Sequence, residues 1–163
     1  LFSDSGKELV IIRPPLVYSH DAPGNFGRLL SLAKSVVPFP FSGVDNRRSL
    51  ISLNNLVHFT ELCCKHPKAA NQAFVISDDE VVTTGEIIKQ LRQGMNNKVP
   101  VLYFPKSILT LMFKVTGLSG IYKKVFGSLE VSNEKAKTLL GWKPVESTYD
   151  SLITVGQKYI KNK

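Results

Sequence analysis

The segment Leu9-Val10-Ile11-Ile12-Arg13-Pro14-Pro15-Leu16-Val17-Tyr18 constrains this chain more than any other. Four aliphatic residues in a row, bounded by proline, read as a fully buried strand of a parallel sheet. Proline has no N–H to give to a central ladder. The strand is therefore expected to end at Pro14, with the chain turned out at its carboxyl edge. In open α/β sheets that edge is where ligands sit. A buried parallel strand needs neighbours on both sides, yet this is the one strong aliphatic strand ahead of residue 45. The chain also opens on Leu1 rather than Met, so it is expected to be the later part of a longer α/β protein.

Past this segment the pattern alternates between strand and helix. Asp21-Ala22-Pro23-Gly24-Asn25 is a loop, with Gly24 or Asn25 opening a helix that carries Phe26, Leu29, Leu30, Leu32 and Ala33 on one face. A short strand is expected over 49–53, then a helix over 55–66 capped by Asn54 or Asn55 and stopped by Pro67. Ala73-Phe74-Val75-Ile76 reads as a second buried strand, ended by Ser77-Asp78-Asp79-Glu80. Thr83 and Glu86 have the spacing of a capping box, which places a helix start there. Pro105 suits the first turn of a helix over 105–116. Ser132 is the expected cap of a helix closed by Gly141 in a left-handed conformation, and a last helix is expected over 148–160.

Composition excludes several classes. With 43% hydrophobic and 21% charged residues the chain is globular, neither disordered nor fibrous. Its longest apolar stretch, Ile108 to Val115, falls short of the ~20 residues that span a bilayer. Cys63 and Cys64 are adjacent on a helical pattern. They read as reduced core thiols of a cytoplasmic protein, and no Cys/His spacing suits a metal. The net charge is +8, and the residues from Tyr103 onward hold ten lysines against four acids. Those lysines are spaced as helix surfaces without interleaved aromatics, which argues against nucleic acid as a partner.

Several landmarks then fall in one order: Ile12-Arg13-Pro14-Pro15-Leu16-Val17-Tyr18, Gly24-Asn25-Phe26, Asn46-Arg47-Arg48-Ser49-Leu50-Ile51, Ala73-Phe74-Val75-Ile76-Ser77-Asp78, Val82-Thr83-Thr84-Gly85-Glu86, and Leu140-Gly141-Trp142-Lys143-Pro144. In this arrangement the chain resembles the C-terminal half of the extended short-chain dehydrogenase/reductases, specifically the nucleotide-sugar epimerases of UDP-glucose 4-epimerase type. The fold this implies is α/β: late strands of an NAD(P)-binding Rossmann-type sheet plus a small α/β substrate-binding domain, with the N-terminal Rossmann part absent. Residues 1–20 would then form a late Rossmann strand and cleft edge. Residues 21–163 would be mostly substrate-binding domain, with strands and helices returning to the Rossmann part.

The resemblance implies a parent enzyme that uses NAD, or NADP, to oxidise and re-reduce a sugar carbon within a UDP-sugar or another nucleotide-diphosphate sugar, in surface polysaccharide synthesis. It implies a homodimeric parent and no metal. The family's acid/base pair is Tyr-x-x-x-Lys, in which a nearby cation lowers the phenol pKa. That pair would lie before Leu1, so no catalytic residue is expected in this chain and the chain alone is expected to be inactive. Tyr159 and Lys163 match the spacing literally but stand far from the family's position, and are read as coincidence.

What the resemblance leaves to these residues is binding. Pro14, Pro15 and Val17 match positions that line the nicotinamide side of the family's cleft. Asn25 matches a polar substrate contact at a helix start, with a plain backbone cap as its alternative. Arg48 matches the arginine that reaches the nucleotide diphosphate, where a guanidinium fork suits phosphate; Arg47 is the alternative in register. Many relatives carry an Arg-Pro-Gly-Asp segment where this chain has Tyr122-Lys123-Lys124-Val125, which leaves Lys123 or Lys124 as a second diphosphate contact. His20 follows the Val-Tyr pair where relatives have Gly-Pro, and reads as a loop residue. Two alternatives stay open: a ketoreductase of nucleotide-diphosphate 4-keto-sugars, and a non-catalytic sensor or interaction protein with the same fold.

Overall fold

The computed structural model describes residues 6–38, 45–103 and 127–162. The helix expected over 105–116, together with Lys123, Lys124 and Lys163, lies outside them. The described chain is α/β and divides into two compact units: Leu1–Tyr18, Ser49–Glu80 and Val131–Thr148 form one, and Ser19–Arg48, Val81–Glu130 and Tyr149–Lys163 form the other.

The first unit holds β1 (Ile11–Arg13), β2 (Leu16–Tyr18), β3 (Leu50–Ser52), α2 (Leu53–Lys65), β4 (Ala73–Val75) and α4 (Glu134–Leu140). Its four strands form two parallel pairs. Ile11, Ile12 and Arg13 stand opposite Ala73, Phe74 and Val75, and Leu16, Val17 and Tyr18 opposite Leu50, Ile51 and Ser52. β1 ends at Arg13, as the Arg-Pro-Pro punctuation predicts; what is not expected is that a second strand follows at once. The chain leaves the β1–β4 pair at Pro14 and pairs with a different strand, β3, from Leu16. Two successive residues without N–H groups interrupt the pairing, the chain bends at Pro15, and a strand resumes at Leu16.

The expectation of a fully buried first strand is also corrected. Leu9 is 41% and Ile11 40% exposed, whereas Val10 and Ile12 pack on the core. Among the described residues β1 pairs only with β4, and its alternate side chains, Ile11 and Arg13, are exposed. β4 alternates too, with Phe74 and Ile76 buried and Ala73 and Val75 exposed.

The core of this unit is aromatic. Phe59 meets Phe74 and Trp142 edge to face, with ring centroids 5.4 and 5.5 Å apart. Ile51, Cys63, Ala69, Ile76, Ala136 and Leu140 complete it. Gly141 takes the expected left-handed conformation at φ 64°. Its N–H closes on the Lys137 carbonyl and that of Trp142 on Ala136, so the helix end delivers the indole to the core. Only Cys63 is a core thiol; Cys64, one helical step on, is exposed.

Two caps differ from expectation for one reason. Ser52, not Asn54 or Asn55, caps α2, accepting the Asn55 N–H at 3.0 Å. The Asn55 side chain is occupied elsewhere: it donates to Asp78 Oδ1 at 2.7 Å and accepts the Val145 N–H at 2.9 Å. At α4, Asn133 holds the cap position, but its side chain donates to the Ser77 carbonyl and Asp79. Ser132, one residue earlier, still accepts the Glu134 N–H at 3.2 Å. In both cases a buried amide is drawn to tertiary partners, and a neighbouring hydroxyl serves the helix end.

The second unit holds α1 (Gly24–Lys34), α3 (Thr84–Gly94) and α5, whose full span is Thr148–Lys161. The capping box forms as expected: Thr83 accepts the Glu86 N–H and Glu86 accepts that of Thr83. Pro23 occupies the cap position of α1 and makes no side-chain bond. Ile87, Ile88 and Leu91 are buried, and such side chains stabilise by roughly 1.5–3 kcal/mol each. α3 and α5 approach at backbone distance. A Cβ at Gly94 would overlap the Ile153 carbonyl oxygen, and one at Gly156 that of Leu91. The end of α1 is held from across the unit: Asn97 donates to the Ala33 and Ser35 carbonyls at 2.8 and 3.0 Å, and Arg92 to that of Val37 at 2.7 Å. Among the described residues no helix is long and apolar enough to cross a membrane.

Candidate functional site

Arg48 sits where three stretches of backbone meet. Its N–H donates to the Val82 carbonyl at 2.9 Å, and its own carbonyl accepts the Val82 N–H at 3.0 Å. On the other side it bridges to Leu129, whose N–H donates to the Arg47 carbonyl at 2.8 Å. One residue earlier, the buried Asn46 exchanges two hydrogen bonds with Thr84, one to its hydroxyl at 2.8 Å and one from its N–H at 3.0 Å. The register of residues 46–48 is thus fixed from both sides. A strand alternates its side chains, so Arg47 and Arg48 must point opposite ways.

The two arginines consequently differ in environment. Arg47 is exposed, and its Nε donates to Glu130 at 2.7 Å, which holds its pKa above the ordinary value. Arg48 is half-buried, and removal from water pulls its guanidinium below the ordinary value.

The other expected site residues are distributed over both units. In the first, Pro14 is exposed and Pro15 half-buried at the ladder break, while Val17 is half-buried and packs on the aromatic core. In the second, Asn25 lies exposed in the first turn of α1 and is not its cap, so the capping alternative falls away.

Two features escaped sequence reading. Tyr18 is buried and its hydroxyl donates to Asp78 Oδ2 at 2.9 Å. Asp78 also receives the Asn55 amide and, at 3.2 Å, the Ser52 N–H. Burial pushes this carboxyl up to about 6, against the pull of its hydrogen bonds. The one signal was the Ser-Asp-Asp-Glu run, which read merely as a strand end. The second feature is a cavity of about 360 Å³ in the second unit, lined by His20, Asp21, Ser31 and Tyr159. His20 lies in the turn after β2, as read, but is half-buried at this cavity, and the Tyr159 hydroxyl lies 3.5 Å from that of Ser31. Among the described residues no three His, Cys, Asp or Glu side chains gather as a metal ion would require.

Parallel strand pairs flanked by helices make this chain α/β. Its sequence is similar to that of a UDP-glucose 4-epimerase. It is 36% identical over 162 residues to a UDP-glucose 4-epimerase of Vibrio cholerae, aligning 99% of this chain with 49% of that protein. Two solved structures share the fold. UDP-N-acetylglucosamine 4-epimerase from Bacillus cereus superposes with a TM-score of 0.68 at 11% identity, covering 91% of this chain and 47% of the other. The Bordetella bronchiseptica enzyme WbmG, in complex with NAD and UDP, gives 0.67 at 16% identity, covering 98% and 45%. The chain thus spans about half the length of these relatives. No family model matches it.

Proposed function

We propose that this chain is the substrate-binding portion of an NAD-dependent nucleotide-diphosphate-sugar 4-epimerase. The substrate is of the UDP-glucose or UDP-N-acetylhexosamine type, and the setting is cytoplasmic synthesis of a surface polysaccharide. The observation that carries the reading is Arg48, half-buried and clamped by backbone bonds to Val82 and Leu129 at the position where the family places its diphosphate arginine. Its fork takes the diphosphate. Asn25 contacts the substrate from the start of α1, and Lys124 stands in for the second basic contact.

NAD, when bound, supplies the hydride acceptor. Of the dinucleotide, these residues meet only the nicotinamide side, through Pro14, Pro15 and Val17. The described strand-to-helix turns have no Gly-x-x-Gly-x-x-Gly sequence to cradle a pyrophosphate, so most of the cofactor is held by residues other than these. The same holds for acid/base chemistry, and the chain alone is expected to bind without turnover.

The test is calorimetric titration of the chain with UDP, beside Arg48→Ala. The expected result is a loss of affinity of roughly tenfold or more in the variant, the scale of one charge-assisted phosphate contact. Equal affinity would remove Arg48 from the site. For the protein that carries this chain together with its cofactor-binding half, UDP-galactose distinguishes the reactions. Interconversion with UDP-glucose and no net NADH consumption marks the epimerase; consumption of NADH with a 4-keto-sugar marks the reductase.

A further inference from the structure

The second unit has a cleft of about 500 Å³ between α3 and residues 97–101, lined by Lys89, Arg92, Gln93, Lys98 and Val99, with Glu86 on its wall; Arg48 is not among its lining residues. Its charges are unbalanced. Glu86 is the one acid among the described lining residues, and both its oxygens are committed, one to the Thr83 N–H at 2.7 Å and the other to the Tyr149 hydroxyl at 3.5 Å. Lys89 and Lys98 form no ion pair among the described residues.

Arg92 lies beneath them and is 2% exposed. Its guanidinium donates to the carbonyls of Val99, Pro100 and Val37 at 3.0, 2.9 and 2.7 Å, and its buried Nε has no hydrogen-bond partner. Three carbonyl dipoles hold this cation in place but leave its net charge intact. A buried charge without a counter-ion is costly, and its field passes through low-dielectric protein into the cleft. The two exposed lysines add mobile donors at the mouth, and Val99, Pro100 and Val101 provide an apolar wall.

We propose that this cleft binds a phosphate-bearing anion, with Lys89 and Lys98 contacting the phosphate oxygens above the fixed positive charge of Arg92. A phosphate completes the charge balance that Glu86 cannot, and the apolar wall accommodates an organic group carried on it. The phosphate can come from a free phosphorylated metabolite or from a lipid headgroup.

The experiment titrates the chain with inorganic pyrophosphate in a calorimeter, and separately co-sediments it with phosphatidylcholine vesicles doped with phosphatidic acid. Three proteins are compared: the parent, the surface variant Lys89→Gln/Lys98→Gln, and Arg48→Ala. The expected result is binding that weakens roughly tenfold or more in the double variant and survives Arg48→Ala. Pyrophosphate binding with that pattern identifies a free phosphate as ligand; vesicle binding with that pattern, without pyrophosphate binding, identifies the headgroup. The proposal is overturned if neither probe binds, if the double variant binds as the parent does, or if Arg48→Ala alone abolishes binding. In that last case the site is the diphosphate site of the proposed function.

Discussion

The Tyr18 hydroxyl donates a hydrogen bond of 2.9 Å to Asp78 Oδ2, tying the end of β2 to the turn after β4 across sixty residues of sequence. Both side chains are buried, and Asp78 is further held by the Asn55 amide and the Ser52 N–H. Through Asn55 the same cluster reaches the Val145 and Glu146 backbone. One carboxylate therefore organises four separate stretches of the first unit.

That carboxylate makes stability depend on pH in a particular direction. Burial raises its pKa from 3.8 to about 6, so the folded chain holds its proton where the unfolded chain releases it. The contribution is present below pH 3.8 and is lost as pH rises towards about 6, up to about 3 kcal/mol by linkage. Urea denaturation from pH 4 to pH 7 should show this loss in the parent and a flatter profile in Asp78→Asn. Parallel profiles would contradict the assignment.

Tyr18→Phe keeps the ring in the core and removes the donor. Its bond favours the ionised carboxylate, so the Asp78 pKa should rise further, as read by carbon-detected NMR titration. At pH 7 the variant should lose about 1–3 kcal/mol, the range for a buried bond to a charged acceptor. A loss confined to stability, with no movement of the carboxyl titration, would point to packing alone.

Arg47→Ala is the contrast to Arg48→Ala. Its ion pair with Glu130 is solvent-exposed on both sides, so breaking it should leave the denaturation midpoint unmoved. UDP affinity should be unmoved as well. Weakened UDP binding in Arg47→Ala, with Arg48→Ala unaffected, would transfer the diphosphate role to Arg47.

Gly94→Ala and Gly156→Ala each place a methyl group against a backbone carbonyl at the α3–α5 crossing. Backbone cannot yield as a side-chain tip does. Each should therefore lower stability by about 1–3 kcal/mol or more, despite the better helix propensity of alanine. Thermal unfolding followed by circular dichroism measures it, and an unchanged or raised midpoint would mean that the helices can separate freely.

Much of the secondary structure was legible because local chemistry specifies it. The Thr83–Glu86 capping box, the left-handed Gly141 and the amphipathic run from Phe26 to Ala33 need only near neighbours in sequence. The cap expected at Asn54 or Asn55, and the position of Ser132 relative to its helix, misled for the opposite reason. An Asn side chain serves its own helix only if nothing buried competes for it, and here Asp78 and Asp79 do. Arg48 was legible as a candidate from its place among the family landmarks. Its separation from Arg47 was not, because which arginine faces solvent depends on how Val82 and Leu129 pair with it.

The sequence by itself determined the elements and their order, the likeness to nucleotide-sugar epimerases, and the short list of residues suited to phosphate. These follow from residue type and spacing. Only the tertiary structure decided that the strand ending at Arg13 is followed by a second one paired with β3 rather than β4, and that the first is half-exposed. It also decided that Arg92 lies buried beneath Lys89 and Lys98. Strand partners, burial and the field around a charge are set by groups tens of residues away, and no local pattern encodes them.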